Sequence, residues 1–251
     1  MIDLDISDGI ARLVLNRPEK LNALTAEMCD ALLSRCRQIE RSSARVVILS
    51  GAGKAFCAGG DIEAWSDLDA EDFGDRWVRD GHMAFDALAR LTVPVIAVLD
   101  GHALGGGLEL AASADLRIAE SHIKIGQPET GLGIIPGWSG TQRAVRRFGA
   151  QAVRRMSLFG EIFTSEEARK LGIVDHVVET GQGQPMAEAM ASKVLERGPQ
   201  ATKVTKMLVN AADGEDPERV LEALAGRIAA GGDELQEGLS AFRERRKPDY
   251  S

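Results

Sequence analysis

Residues 94–129 read PVIAVLDGHALGGGLELAASADLRIAESHIKIGQPE, and the punctuation of this stretch decides the fold. Its first six residues are apolar and rich in β-branched side chains, the pattern of a buried strand. Gly101 and then Gly105, Gly106 and Gly107 break the run, and residues 108–114 resume with helix formers. A glycine triplet that opens a helix leaves backbone N–H groups uncovered beside the positive end of the helix dipole. Such a turn can receive an anion, or a carbonyl oxygen that gains negative charge during a reaction. Glu109 lies just inside the helix and Glu129 follows one strand later. An oxyanion-type turn with two carboxyls close by points to acid/base chemistry on an activated carbonyl compound.

Strand–helix alternation continues on both sides. Residues 10–15 (IARLVL) and 45–49 (RVVIL) read as strands, the first stopped by Asn16-Arg17-Pro18. Thr25 reads as the N-cap of a helix through Met28, Leu32, Leu33, Cys36 and Ile39, with Met28 where a full capping box would place Glu or Gln. The small residues of Ala55-Phe56-Cys57-Ala58-Gly59-Gly60-Asp61 permit close backbone approach, and Asp61 caps a short helix from Ile62. Residues 66–80 are acidic with aromatics interspersed and read as a mobile segment beside the site, leading to a helix over 83–91. Beyond Glu129, residues 131–137 form a glycine-rich turn, and a helix runs from Ser139 or Thr141 to Phe148. Thr164-Ser165-Glu166-Glu167 is a capping box, and Gly172 ends that helix before a strand over 173–178. Gly181-Gln182-Gly183-Gln184-Pro185 marks a boundary, after which the pattern is helical only, with Asp216 and Asp233 as N-caps. The expectation is an α/β core over residues 1–180 and a helical region over 181–251.

Composition narrows the function classes. The 251 residues are 44% hydrophobic and 27% charged, which suits a folded globular chain. A net charge of −8 argues against nucleic-acid or anionic-membrane partners. Three cysteines without metal spacing or a disulfide framework fit a reducing compartment. No apolar run approaches the roughly 20 residues of a membrane-spanning helix. The opening MIDLD has neither signal-peptide nor transit-peptide character, so a soluble cytoplasmic protein is expected. The glycines fit neither G-x-G-x-x-G nor G-x-x-x-x-G-K-[ST], so NAD and ATP are not indicated. His82, His102, His122 and His176 lack metal-ligand spacing and read as structural or exposed, and no metal or other cofactor is expected. Cys57 has no evident His partner and reads as small buried packing.

Taken singly, residues 105–107 fit a tight packing turn, Glu109 a solvated helix carboxylate and Glu129 a turn cap. Their company changes the reading. Residues 16–24 (NRPEKLNAL), 55–61 (AFCAGGD), 101–109 (GHALGGGLE) and 127–129 (QPE) occur in that order. They are followed by 135–137 (IPG), 140–143 (GTQR) and a terminal 241–248 (AFRERRKP). In this series the chain resembles the enoyl-CoA hydratase/isomerase (crotonase) family along essentially its whole length.

The resemblance implies a spiral of ββα units with a C-terminal helical region used for trimerisation, giving a trimer or a dimer of trimers. It implies an oxyanion hole made by the N–H groups of Ala58 and Gly106, with Glu109 and Glu129 as the catalytic carboxyls. In that scheme Glu109 activates water for attack at C3 of a 2-enoyl-CoA, and Glu129 delivers a proton to C2. Coenzyme A, arriving as part of the acyl-CoA substrate, would be held by Lys20, Leu21, Ala23, Ala55, Gly59, Asp61 and Ile62. Gly137 would give backbone access near the thioester, and Arg245 would reach the CoA phosphates. Trp65 and Trp77 fall in the segment that shapes the acyl pocket. The implied activity is hydration of 2-enoyl-CoA, with Δ3–Δ2 enoyl-CoA isomerisation as the alternative and a non-catalytic RNA-binding or scaffold role behind it.

Overall fold

The computed structural model describes residues 1–250 and divides into two compact units, Met1–Lys203 and the chain from Val204 onward. The first unit carries a six-stranded sheet in the order β1-β2-β3-β4-β6-β9. Its strands are β1 (Ile2–Ser7), β2 (Ile10–Leu15), β3 (Val46–Gly51), β4 (Val95–Leu99), β6 (Leu116–Glu120) and β9 (His176–Val178). β1 and β2 form an antiparallel hairpin, and every later pairing is parallel. A smaller sheet joins β5 (Ala103–Leu104), β7 (Lys124–Gly126) and β8 (Phe163–Thr164).

The central strands are apolar throughout because both faces are covered. On one face Val47, Leu49, Val95, Ala97 and Leu99 join the large core with helices Ala26–Glu40 and Arg79–Ala89. On the other, Val46, Ile48, Ile96, Val98 and Ile118 pack against Ala187 and Ala191 of helix Gly183–Leu195. That helix roofs the sheet's second face and lies within the first unit, which runs to Lys203. The second unit is helical, with Pro217–Ala230 and Asp233–Glu244.

Several local expectations are met. Thr25 accepts from the Met28 N–H, and Thr164 with Glu167 makes a complete capping box. Gly172 adopts φ +74 just past helix Ser165–Lys170. Others are corrected. Residues 66–80 are ordered as short helical turns, including a π-helical run Phe73–Val78 that leads directly into helix Arg79–Ala89. Asp216 is left-handed (φ 57) and makes no cap bond, so Pro217 alone marks that helix start. Asp233 is the first helical residue, preceded by Gly232, and likewise makes no cap bond. The final strand shortens to His176–Val178, and a helix Ala150–Phe159 was not foreseen. Among the described residues, no helix is long and apolar enough to cross a membrane.

Backbone layers around the glycine turn pack without side chains between them. A Cβ on Gly107 would lie 2.0 Å from the Cys57 carbonyl oxygen, and one on Gly101 would lie 2.4 Å from the Ala55 Cα. Gly107→Ala must therefore push two backbone segments apart, at a cost of about 3 kcal/mol or more. Gly226, on helix Pro217–Ala230 with no atom near its missing Cβ, should instead gain about 0.5–1 kcal/mol on conversion to Ala. Thermal and urea unfolding of the two variants should move in opposite directions.

Candidate active site

The register of the small sheet brings the two carboxyls together. Leu104 pairs with Gly126, and the Gly105 N–H donates to the Gly126 carbonyl at 2.9 Å. The residues that follow each strand, 105–109 and 127–129, are thereby set side by side. Helix Gly106–Ala112 carries Glu109 inward, and the 3-10 turn Glu129–Leu132 presents Glu129. Both glutamates line one cavity of ≈ 200 Å³, together with Ala58, Gly59, Gly60, Gly105 and Gly106.

The two carboxyls are held differently. Glu109 Oε1 accepts from the backbone N–H of Trp138 (2.7 Å) and of Gly140 (2.6 Å). These bonds demand close approach: a Cβ on Gly140 would stand 2.5 Å from that oxygen. Gln127 ties down the same turn by donating from Nε2 to the Gly140 carbonyl at 3.0 Å. Glu129 is buried, and neither of its oxygens has a hydrogen-bond partner. Burial raises the pKa of both groups, and for Glu109 the neighbouring Glu129 charge raises it further. The two N–H donors favour the ionised form of Glu109, whereas charge on Glu129 is favoured only weakly, by its own backbone N–H. Burial, with the Glu129 charge added, pushes Glu109 up to about 8, and burial pushes Glu129 up to about 7, so the pair holds a proton near neutrality. The two N–H donors on Glu109 Oε1 are the geometric feature that favours charge on Glu109 and the proton on Glu129.

Gly106 is the first residue of its helix, so its N–H has no carbonyl one turn earlier to bond. Gly59, at φ +102, leaves the approach open, since a Cβ there would come within 3.2 Å of the Gly106 nitrogen. Ala58 lines the same cavity, but its N–H donates to the Leu21 carbonyl at 3.0 Å. That bond is one of three joining residues 21–24 to 58–61, the others being Leu24 N–H to Gly59 and Asp61 N–H to Leu24. Most of the expected CoA residues are thus assembled in one place. Lys20 pairs with Glu63 at 2.8 Å, Asp61 pairs with Arg17 at 2.6 Å and caps helix Ile62–Trp65, and the Ala23 carbonyl accepts from Arg17. Ala55 is buried, and Ile62 and Gly137 line the cavity. Arg245 belongs to the second unit, where it is the exposed, left-handed cap of helix Asp233–Glu244.

One wall of the cavity is aromatic. Trp65, Phe73, Trp77 and Trp138 line it, and the Trp138 indole donates to the Trp77 carbonyl at 3.1 Å. Cys57 is fully buried with its thiol pushed up to about 12 by burial, which fits packing rather than nucleophilic use. Among the described residues, no group of three or more His, Cys, Asp or Glu is placed to hold a metal ion.

Three residues escaped the sequence reading. Asn22, buried at φ +57, accepts from Arg17 N–H and donates to the carbonyls of Ala52 and Ala55, joining the segments 17–22 and 52–55. Asparagine tolerates left-handed backbone, and that was its available signal. Gln127 lies in the quoted run 127–129 but was given no role of its own, and Trp138 carried no local pattern; both act through contacts between distant segments.

Comparison with known proteins places these features in a family. The enoyl-CoA hydratase/isomerase family profile matches residues 5–251. The crotonyl-CoA hydratase of Syntrophomonas wolfei is 34% identical, over 99% of this chain and 97% of that one. The short-chain-enoyl-CoA hydratase of Clostridium acetobutylicum is 36% identical, over 97% of this chain and 95% of that one. The crystal structure of an enoyl-CoA hydratase from Bacillus anthracis superposes with a TM-score of 0.80 at 32% identity, covering 99% of this chain and 98% of its own.

Glu129 gives the site a measurable signature. Its carboxyl is pushed up to about 7 by burial, whereas an unfolded glutamate titrates near ~4.3. Between those values the folded state holds a proton that the unfolded chain releases, so stability falls as pH rises through that window and levels off above it. Glu129→Gln removes the effect. The variant should exceed the parent by on the order of 2 kcal/mol at pH 8 and match it near pH 4. Unfolding measured at both pH values checks this, and an equal difference at the two would contradict it.

Proposed function

The chain belongs to the enoyl-CoA hydratase/isomerase family, and from that premise we propose that it hydrates 2-enoyl-CoA thioesters, adding water reversibly across the C2=C3 bond. The observation that carries the reading is the unequal pair of buried carboxyls in one cavity: Glu109 bonded by two N–H groups, Glu129 by none. Water addition needs a base for the water and an acid for C2, and the two environments suit those two tasks.

In the forward direction Glu109, with Oε1 fixed by Trp138 and Gly140, takes a proton from water on Oε2. The water oxygen bonds to C3, and the C2=C3 electrons move toward the thioester carbonyl to form an enolate. The Gly106 N–H, joined by that of Ala58, stabilises the developing oxyanion, an interaction typically worth about 3–4 kcal/mol per donor. Protonated Glu129 then gives its proton to C2 and the enolate collapses to the 3-hydroxyacyl thioester. Transfer of the water proton from Glu109 to Glu129, directly or through solvent, restores the pair. Each step uses side chains and backbone of this chain, so the reaction calls for no separate cofactor.

Coenzyme A is assigned to the face formed by Lys20, Leu21, Ala23, Ala55, Gly59, Asp61 and Ile62, and the short, aromatic-walled cavity suits a small acyl group. Arg245 is assigned to the CoA phosphates in an assembled trimer or dimer of trimers. Exposed apolar side chains, Leu158 and Phe159 in the first unit and Ile228 and Phe242 in the second, support such assembly. The acidic balance supports a small-molecule substrate over RNA, and a cytoplasmic location is in keeping with free, buried cysteines.

The test is loss of the conjugated-thioester absorbance on incubation with crotonyl-CoA. Glu109→Gln and Glu129→Gln should each lower kcat by about 10²-fold or more with folding retained. An inactive parent, or variants that match it, would sink the proposal. Turnover of a 3-enoyl-CoA without hydration would instead establish the isomerase.

A further inference from the structure

We propose that His82 and Ser139 form a positioning pair that fixes the turn on which Glu109 depends; the proposal rests on the role given to Glu109 above. Ser139 lies between the two residues whose N–H groups hold Glu109 Oε1, Trp138 and Gly140. It is buried and has φ +79, a backbone conformation that side chains other than glycine rarely adopt. Glycine would sit there without strain, so the serine side chain must be retained for a contact. That contact is with His82, whose Nε2 lies 3.0 Å from Ser139 Oγ.

His82 sits on a helix that grips the turn at successive points along one face. Preceding it, the Trp77 carbonyl accepts from the Trp138 indole. Gly81 makes room for the same ring, since a Cβ there would stand 2.2 Å from Trp138 Nε1. One turn later, Asp86 bonds the buried Arg143 at 2.6 Å, just inside helix Gln142–Phe148 that follows the turn. His82 and Asp86 are thus spaced i, i+4 on one helix, and they engage Ser139 and Arg143, spaced i, i+4 on the other segment. The Ser139 carbonyl accepts from the N–H groups of Arg143 (3.1 Å) and Ala144 (3.2 Å), which anchors one end of the strained residue, and the His82 bond fixes its side chain.

The charged groups around the pair are few and already engaged. Asp86 lies 3.9 Å from His82 Nε2 and is also bonded by Arg90 at 3.0 Å. Glu109 feels Glu129 and Arg143. Loosening the turn weakens two N–H bonds that favour ionised Glu109, so its titration should move to higher pH. The residues assigned to coenzyme A, 20–23 and 55–62, are on other segments, so KM should change less than kcat.

The experiment uses the full chain and compares His82→Ala, Ser139→Ala, Ser139→Gly and the double variant His82→Ala/Ser139→Gly. His82→Ala and Ser139→Ala should lower kcat about tenfold with KM within about twofold, and move the acid limit of the kcat profile to higher pH. Ser139→Gly, which loses the hydroxyl and the strain together, should lose less than Ser139→Ala. In the Ser139→Gly background, His82→Ala should have no further effect. Carboxyl-13C NMR titration of Glu109 in each variant reads the same shift without turnover, so it decides the pairing even if crotonyl-CoA is not the substrate. Equal losses for Ser139→Ala and Ser139→Gly, additive losses in the double variant, or an unmoved Glu109 titration would each overturn the proposal. Should His82→Ala fail to fold, the contrast between the two Ser139 variants and the titration still decide it.

Discussion

A carboxylate oxygen held by two consecutive-but-one backbone N–H groups is the interaction on which the site depends. Glu109 cannot supply this geometry itself; the turn bearing Trp138 and Gly140 must arrive with both donors pointing at one oxygen. Such a bond pattern is worth most where water is excluded, and it also fixes which oxygen remains for chemistry. The turn is then constrained from every side. Gly140 must lack a side chain, Gln127 must hold its carbonyl, and the helix bearing Gly81 must leave room for the Trp138 ring. These demands come from segments far apart in sequence, and they meet because the strand register sets residues 105–109 beside 127–129.

Glu129 is the counterpart that the fold leaves unsatisfied. A buried carboxyl without a single hydrogen-bond partner is costly when ionised, and nothing in the packing requires one there. An amide or apolar residue would be more stable at neutral pH. On the proposed reaction that spot requires a neutral, readily donated proton, so the least stable feature of the cavity is the one the proposed chemistry uses most directly.

Much of this was legible in the sequence, and the reasons differ between elements. Thr25 and Thr164 announced their helices because capping is local. The strands at 46–51 and 95–99 announced themselves because both faces are covered, which leaves an unbroken β-branched run. β1 was missed because Asp3 and Asp5 gave it an acidic look, although Ile2, Leu4 and Ile6 alternate as a half-buried strand should. Asp216 looked like a cap and is not, since its backbone is left-handed and its side chain does not reach the helix N–H groups. The polar, glycine-bearing stretch at 181–185 looked like a boundary, and it leads into a helix, Gly183–Leu195, that packs on the sheet. Glu109 and Glu129 were found through their motifs, whereas Asn22, Gln127, Trp138 and the His82–Ser139 contact act only across the fold. No window of neighbouring residues could have shown them.

The Ala58 donor illustrates what motif spacing leaves open. The family resemblance nominates its N–H for the oxyanion, yet that N–H is bonded to the Leu21 carbonyl. A donor so engaged is not lost to catalysis. Exchanging one carbonyl acceptor for another is nearly neutral for an ordinary amide bond, and the gain appears only as the incoming oxygen becomes charged. Leu21 and Asn22 both have left-handed backbones, and Asn22 anchors the segment while leaving the Leu21 carbonyl at its edge. On the proposed reaction, thioester binding must displace that carbonyl, so entry of the acyl group and adjustment of residues 20–23 on the CoA side are one event. The oxyanion site is then completed by its substrate, with Gly106 as the standing donor and Ala58 as the one released to join it.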